Sequence, residues 1–161
     1  MSDRLVGSLT FEEISRLSAS SVLLLPIGSM EQHGPYLPLD TDAVLAEAVA
    51  KAIAARFGET FDIWQLPALP LGLSREHGWA AGTLSLSVTG MTALLREVVG
   101  EVAKSLPARN LMIVNGHGGN RGILEVLNYE FADDFKFNTC ALHNGFEQTF
   151  CITNIFNLQI N

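Results

Sequence analysis

Two short apolar runs constrain this chain more than any other feature. Residues 21–27 (Ser-Val-Leu-Leu-Leu-Pro-Ile) and 110–114 (Asn-Leu-Met-Ile-Val) lack the polar alternation of a half-exposed strand, so each predicts a strand buried on both faces. Each gives way to a turn containing Gly and His, and then to apolar residues at helical spacing. Residues 42–57 carry one such helix, opened by Asp40-Thr41-Asp42 and closed at Gly58; residues 120–131 carry another. Between them, residues 61–66 read as a strand stopped by Pro67 and Pro70. Residues 89–106 read as a helix with Thr89 as N-cap and Pro107 as stop, and 137–142 as a last strand. Strands alternating with helices predict βαβ crossovers, hence an α/β fold whose mainly parallel sheet has helices on both faces.

At 161 residues the chain is long enough to bury one core, and its 48% hydrophobic and 17% charged residues exclude a disordered chain. A net charge of −7 argues against nucleic acid or an anionic membrane as partner, since both reward an excess of Lys and Arg. No run has the length of a membrane span. Residues 1–13 carry acidic groups where a signal peptide places its apolar segment, and Cys140 and Cys151 fit neither a metal spacing nor a disulfide framework. Both observations point to the cytoplasm. Residues 1–142 form the expected α/β domain. Residues 143–161, with one charged side chain among several Phe, Ile and Asn, look foreign to it.

The chemistry lies in the turns after the two runs. Glu31 and His33 are two apart, so an extended backbone sends both side chains to one side. Asp42 falls in the first turn of a helix, where free N–H groups and the helix dipole favour a carboxylate. His117 stands among Gly116, Gly118 and Gly119, which permit a tight turn. In open parallel sheets ligands bind beyond the carboxyl ends of the strands, where both clusters fall. Mixed imidazole and carboxylate donors suit Zn²⁺, Mn²⁺ or Fe²⁺ better than Ca²⁺ or Mg²⁺. Two ions are expected, with Asp42 bridging them, Glu31 on one and His33 on the other. Each residue also has a plainer reading. Asp40, Thr41 or Asp42 can cap the helix, Asn115 and Asn120 can brace the turn, and residues 116–120 can cradle a phosphate at a helix N-terminus.

The run Gly28-Ser29-Met30-Glu31-Gln32-His33-Gly34-Pro35-Tyr36-Leu37-Pro38 resembles the hallmark of the creatininase family. Asp42, Ser74-Arg75-Glu76-His77 with Gly82-Thr83, and Asn115-Gly116-His117-Gly118-Gly119-Asn120 follow in the family's order, so the resemblance covers about residues 21–142. It implies a three-layer α/β/α fold, a dinuclear Zn, Mn or Fe centre held by Glu31, His33, Asp42 and His117, and assembly into homo-oligomers. It also implies hydrolysis of non-peptide or small-molecule amide C–N bonds. Two departures stand out. Creatinine-hydrolysing members place a metal-binding Glu two residues after the motif histidine, where this chain has Gly119. The chain is in that respect more similar to relatives acting on formamides, maturing peptides, or sugar lactams and inososes. Family members also continue past this length, and their later part supplies a further carboxylate and the groups that protonate the leaving nitrogen. His143 and Glu147 are possible stand-ins, set against a simply unrelated tail.

The expected activity is therefore that of a metal-dependent amidohydrolase, in which a hydroxide bridging two ions attacks a small amide. Glu76 and His77 are the local candidates for proton transfer or for supporting the ligands. Ser29 and Ser74 have no base beside them in sequence, which disfavours a serine nucleophile. Two other readings are a catalytically incomplete, C-terminally truncated fragment or split subunit that still binds metal, and a metal-free phosphate-binding module built on residues 116–120.

Overall fold

A computed structural model describes residues 4–143 of the chain. The four strands are β1 (Val22–Ile27), β2 (Ile63–Gln65), β3 (Asn110–Asn115) and β4 (Asn138–Leu142). They form one parallel sheet in the order β2-β1-β3-β4. The helices are α1 (Phe11–Ile14), α2 (Thr41–Phe61), α3 (Val88–Ser105) and α4 (Arg121–Phe135). The short α1 has no apolar period to announce it. It is held by a capping box in which Thr10 Oγ1 accepts the Glu13 N–H while the Glu13 carboxylate accepts from Thr10.

The apolar runs are buried along their whole length because the sheet is covered on both faces. Leu23, Leu25 and Ile27 of β1 face a core with Met91, Leu95 and Val99 of α3 and Leu124, Leu127 and Phe131 of α4. Val22 and Leu24 face the other way, against Ala50 and Ala54 of α2 with Met112 and Val114 of β3. This is the expected three-layer arrangement. Pro26 is tolerated in a central strand because β2 has already ended where its missing N–H would point. On that side its carbonyl accepts the Leu69 N–H at 2.9 Å.

Element ends differ from the sequence reading. α2 does not stop at Gly58, which lies buried inside it; the left-handed C-cap is Asp62 (φ 49°). Arg4 holds that corner, donating to the Ile63 carbonyl and the Asp62 carboxylate at 2.7 Å each. β2 is correspondingly only three residues long. Thr89 is not the cap of α3: Ser87 is, accepting the Gly90 N–H at 3.0 Å. Residues 120–131 continue as helix to Phe135. Residues 144–161, which include Glu147 and Cys151, lie outside the described residues.

Topology selects one place for a site. The chain leaves β1 for α2 on one face and leaves β3 for α4 on the other, so a crevice opens between the two adjacent strand ends. Ile27 lies opposite Asn115, so both strands finish level and release their turns side by side.

Candidate metal centre

The crevice brings together all four side chains expected to bind metal. Glu31, Asp42 and His117 are buried and His33 partly so. Asp42 is not the cap of α2: Asp40 occupies the N-cap position without a side-chain bond, and Asp42, in the first turn, directs its carboxylate inward. Its Oδ1 lies 3.0 Å from His33 Nε2 and its Oδ2 2.8 Å from His117 Nδ1. One carboxylate thus faces both imidazoles through different oxygens. Glu31 leans toward His117, with Oε2 at 3.4 Å from Nδ1, while Oε1 is 4.0 Å from His33 Nε2 and 3.8 Å from His77 Nε2. Gly116 makes this approach possible, because a Cβ there would run into the Asp42 carbonyl at the start of α2.

Backbone carbonyls settle which ring nitrogens face the carboxylates. His33 Nδ1 lies 3.0 Å from the Glu31 carbonyl, and His117 Nε2 2.7 Å from that of Leu73. A carbonyl only accepts, so each of these nitrogens donates. His33 Nε2 and His117 Nδ1 are left as the donor atoms a cation would use, an orientation common to metal-binding histidines. Burial alone would lower the His33 pKa, but the Glu31 carbonyl and the Asp42 and Glu31 carboxylates together raise it above the ordinary imidazole value. Among the described residues, Asp42 Oδ2 is a buried oxygen with no hydrogen-bond partner, since its close contact with His117 Nδ1 lacks hydrogen-bond geometry. A buried carboxylate oxygen left so beside a second buried carboxylate is costly unless a cation offsets the charge. The donor set fits a divalent metal on that ground. Glu31, His33 and Asp42 have ligand atoms within 4.8 Å of one another, and so do Glu31, Glu76 and His117.

A further layer of side chains holds these residues. Ser74 is fully buried and donates its hydroxyl to Glu31 Oε2, and it is itself paired with the buried Ser29 hydroxyl. Asn120 ties the two clusters together: Nδ2 donates to the Gly28 carbonyl at 3.0 Å, and Oδ1 accepts the Leu73 N–H at 2.9 Å. The bracing role of Asn115 and Asn120 had a signal in sequence, in their places either side of the glycines, as did His77 beside the site; Ser29 and Ser74 as braces had none. Gln32 Nε2 lies 2.9 Å from His77 Nδ1, which leaves His77 Nε2 toward Glu31. His143 stands apart, its Nδ1 3.1 Å from the Asn115 amide.

Two other chemistries fare worse here. Ser74, His117 and Asp42 trace the outline of a serine triad, with Ser74 Oγ 3.3 Å from His117 Nε2. Yet the His117 Nε2 proton is committed to Leu73, and Ser74 is inaccessible to a substrate. A phosphate at residues 116–120 would meet the carboxylates of Glu31 and Asp42, and the His117 N–H is already taken by Asn115 Oδ1 at 3.2 Å.

Comparison with known proteins agrees with this geometry. The family description Creatininase (creatinine amidohydrolase) matches residues 7–157. The mycofactocin precursor peptide peptidase of Mycobacterium tuberculosis is 45% identical over 125 residues, covering 74% of this chain and 48% of that protein. The creatinine amidohydrolase of Pseudomonas putida is 34% identical over 146 residues, covering 81% of this chain and 54% of that one. A solved creatininase variant of the Zn-Zn type superposes with a TM-score of 0.72 at 31% identity, covering 88% of this chain and 58% of that one. The chain spans about half the length of the curated relatives it matches. Its sheet, its site and its sequence converge, and the chain belongs to the creatininase family.

Proposed function

We propose that this chain carries the dinuclear metal centre of an amidohydrolase that cleaves a small-molecule or other non-standard amide C–N bond. The observation that carries the reading is Asp42, whose two oxygens face two imidazoles while one of them is buried without a hydrogen bond. Asp42 would be shared between two ions, with His33 on one side and His117 with Glu31 on the other. Relatives named as a peptidase and as a creatinine amidohydrolase both act on C–N bonds, and a structural neighbour is of the Zn-Zn type. Zn²⁺ is the expected metal, with Mn²⁺ and Fe²⁺ compatible with the same donors.

Divalent ions held by Glu31, His33, Asp42 and His117 would supply an activated water at neutral pH and polarise an amide carbonyl. The protein's own part is positioning and proton handling. Ser74 and the Leu73 carbonyl fix Glu31 and His117, so the donors need no rearrangement. His77, only partly buried, holds a proton at Nε2 on the solvent side of Glu31, where it can reach a leaving nitrogen. The finer expectation is a homo-oligomer. Tyr36 and Leu37 after β1, and Val44, Leu45 and Val49 on α2, are exposed apolar side chains of the type that a second copy covers.

The deciding experiment is metal content by plasma mass spectrometry on the chain and on Asp42→Asn. About two equivalents are expected, and loss of both in the variant; two equivalents retained by Asp42→Asn would sink the reading. The chain's length, about half that of its relatives, favours a second reading: a metal-binding half of a longer catalytic unit. A chain that takes up two ions but turns over no amide in a screen of small amides would select it.

A further inference from the structure

Glu76 has no role in the four-ligand scheme, yet it is placed as though it had one. It sits in the single helical turn Arg75–His77, exposed to solvent. One of its carboxylate oxygens nonetheless falls within 4.8 Å of ligand atoms on both Glu31 and His117. That turn is stapled to the same two residues. The Leu73 carbonyl accepts from His117, Ser74 donates to Glu31, and the Leu73 N–H is held by Asn120. The His77 N–H closes the turn on the Ser74 carbonyl at 3.1 Å. A second carboxylate brought so near the buried Glu31 is repelled unless a cation lies between them.

The opposite approach is closed. A Cβ at Gly119 would collide with the Leu73 carbonyl and with His117 Nε2, so the turn entering α4 cannot offer a side chain there while the Leu73 bond stands. The only acidic group the described residues bring to the His117 side, beyond Glu31 and Asp42, is Glu76.

We propose that Glu76 is a protein ligand of the ion on the His117 side, completing a Glu31–Glu76–His117 set from a surface turn. The inference rests on the two-metal reading above. It makes the two ions unequal: the His117 side draws one donor from an exposed surface turn, so a change at Glu76 weakens one ion and leaves the other.

The test titrates Zn²⁺ into the metal-stripped chain by calorimetry, for wild type, Glu76→Gln and Asp40→Asn. Asp40 is a nearby exposed carboxylate without a side-chain bond, so its variant removes the same charge with no donor role. Manganese-loaded samples are followed by electron paramagnetic resonance, and thermal melts check folding. Wild type and Asp40→Asn should take two equivalents and show spin-coupled manganese. Glu76→Gln should lose at least about 10-fold in affinity for one equivalent only, with an uncoupled spectrum. Two equivalents within twofold of wild type in Glu76→Gln, or equal weakening in both variants, would overturn the assignment while leaving the two-metal reading intact. Fewer than two equivalents in wild type would overturn both.

Discussion

At the residue scale, the candidate ligands are held by buried side chains behind them. Ser74 contacts Glu31 and lies beside His117, so Ser74→Ala leaves the first oxygen unheld and a void next to the second. Loss of such a supporting partner costs about 10- to 100-fold in metal affinity, and Zn²⁺ titration of Ser74→Ala should read a drop in that range. An affinity unchanged from wild type would reduce Ser74 to packing. His143 offers a different check. Burial lowers its pKa below the ordinary imidazole value, with the Arg121 charge adding to the effect, and its Nε2 is buried without a partner among the described residues. The unfolded chain therefore binds this proton more readily than the folded one. Its contribution to stability is present above the unfolded value of about 6.5 and is lost as pH falls through the folded value. The urea midpoint of wild type should fall more steeply from pH 7 to pH 5 than that of His143→Gln; parallel slopes would contradict this. The four candidate ligands stood out because Glu31, His33 and His117 fall in turns after buried strands and Asp42 opens the helix that follows the first of them. Ser29 and Ser74 were not, since a buried hydroxyl that braces a carboxylate leaves no pattern in a linear sequence.

At the scale of elements, strands were easier to read than helix ends. The runs at β1 and β3 are apolar throughout because helices cover both faces, and that is a strong linear signal. Helix ends depend on contacts the local sequence does not contain. Gly58 has the look of a stop, but Arg4, far away in the chain, secures Asp62 as the left-handed cap and lets α2 run on. At α3 two hydroxyl residues compete for the N-cap, and the one that accepts a backbone N–H is Ser87, two positions before Thr89. Ser87→Ala should therefore cost about 1 kcal/mol in urea unfolding, whereas Thr89→Ala, within the helix, should cost under about 0.5 kcal/mol or even stabilise it. Equal losses would mean that neither residue acts as the cap.

At the scale of the whole molecule, alternation of strands and helices was enough to predict a covered parallel sheet, and the order β2-β1-β3-β4 then leaves a crevice at one switch point. The order itself is not written in the alternation, because it depends on which side of β1 each crossover docks. Once the crevice exists, any ion bound there adds to global stability by mass action, about 2.7 kcal/mol when free metal is 100 times its dissociation constant. The melting temperature should rise with added Zn²⁺ and fall back with chelator in wild type, and respond to neither in Asp42→Asn.

The seating of α2 carries a consequence of its own. Its first turn rests against Gly116, and that same turn supplies Asp42 to the centre. Capture of an ion by Asp42 is therefore expected to tighten this helix end, and the amides there should report occupancy directly. Under hydrogen–deuterium exchange, metal uptake should slow the amides near Asp42 and Ala46 far more than those midway along α4, making the mouth of the crevice a clock for the ion's residence.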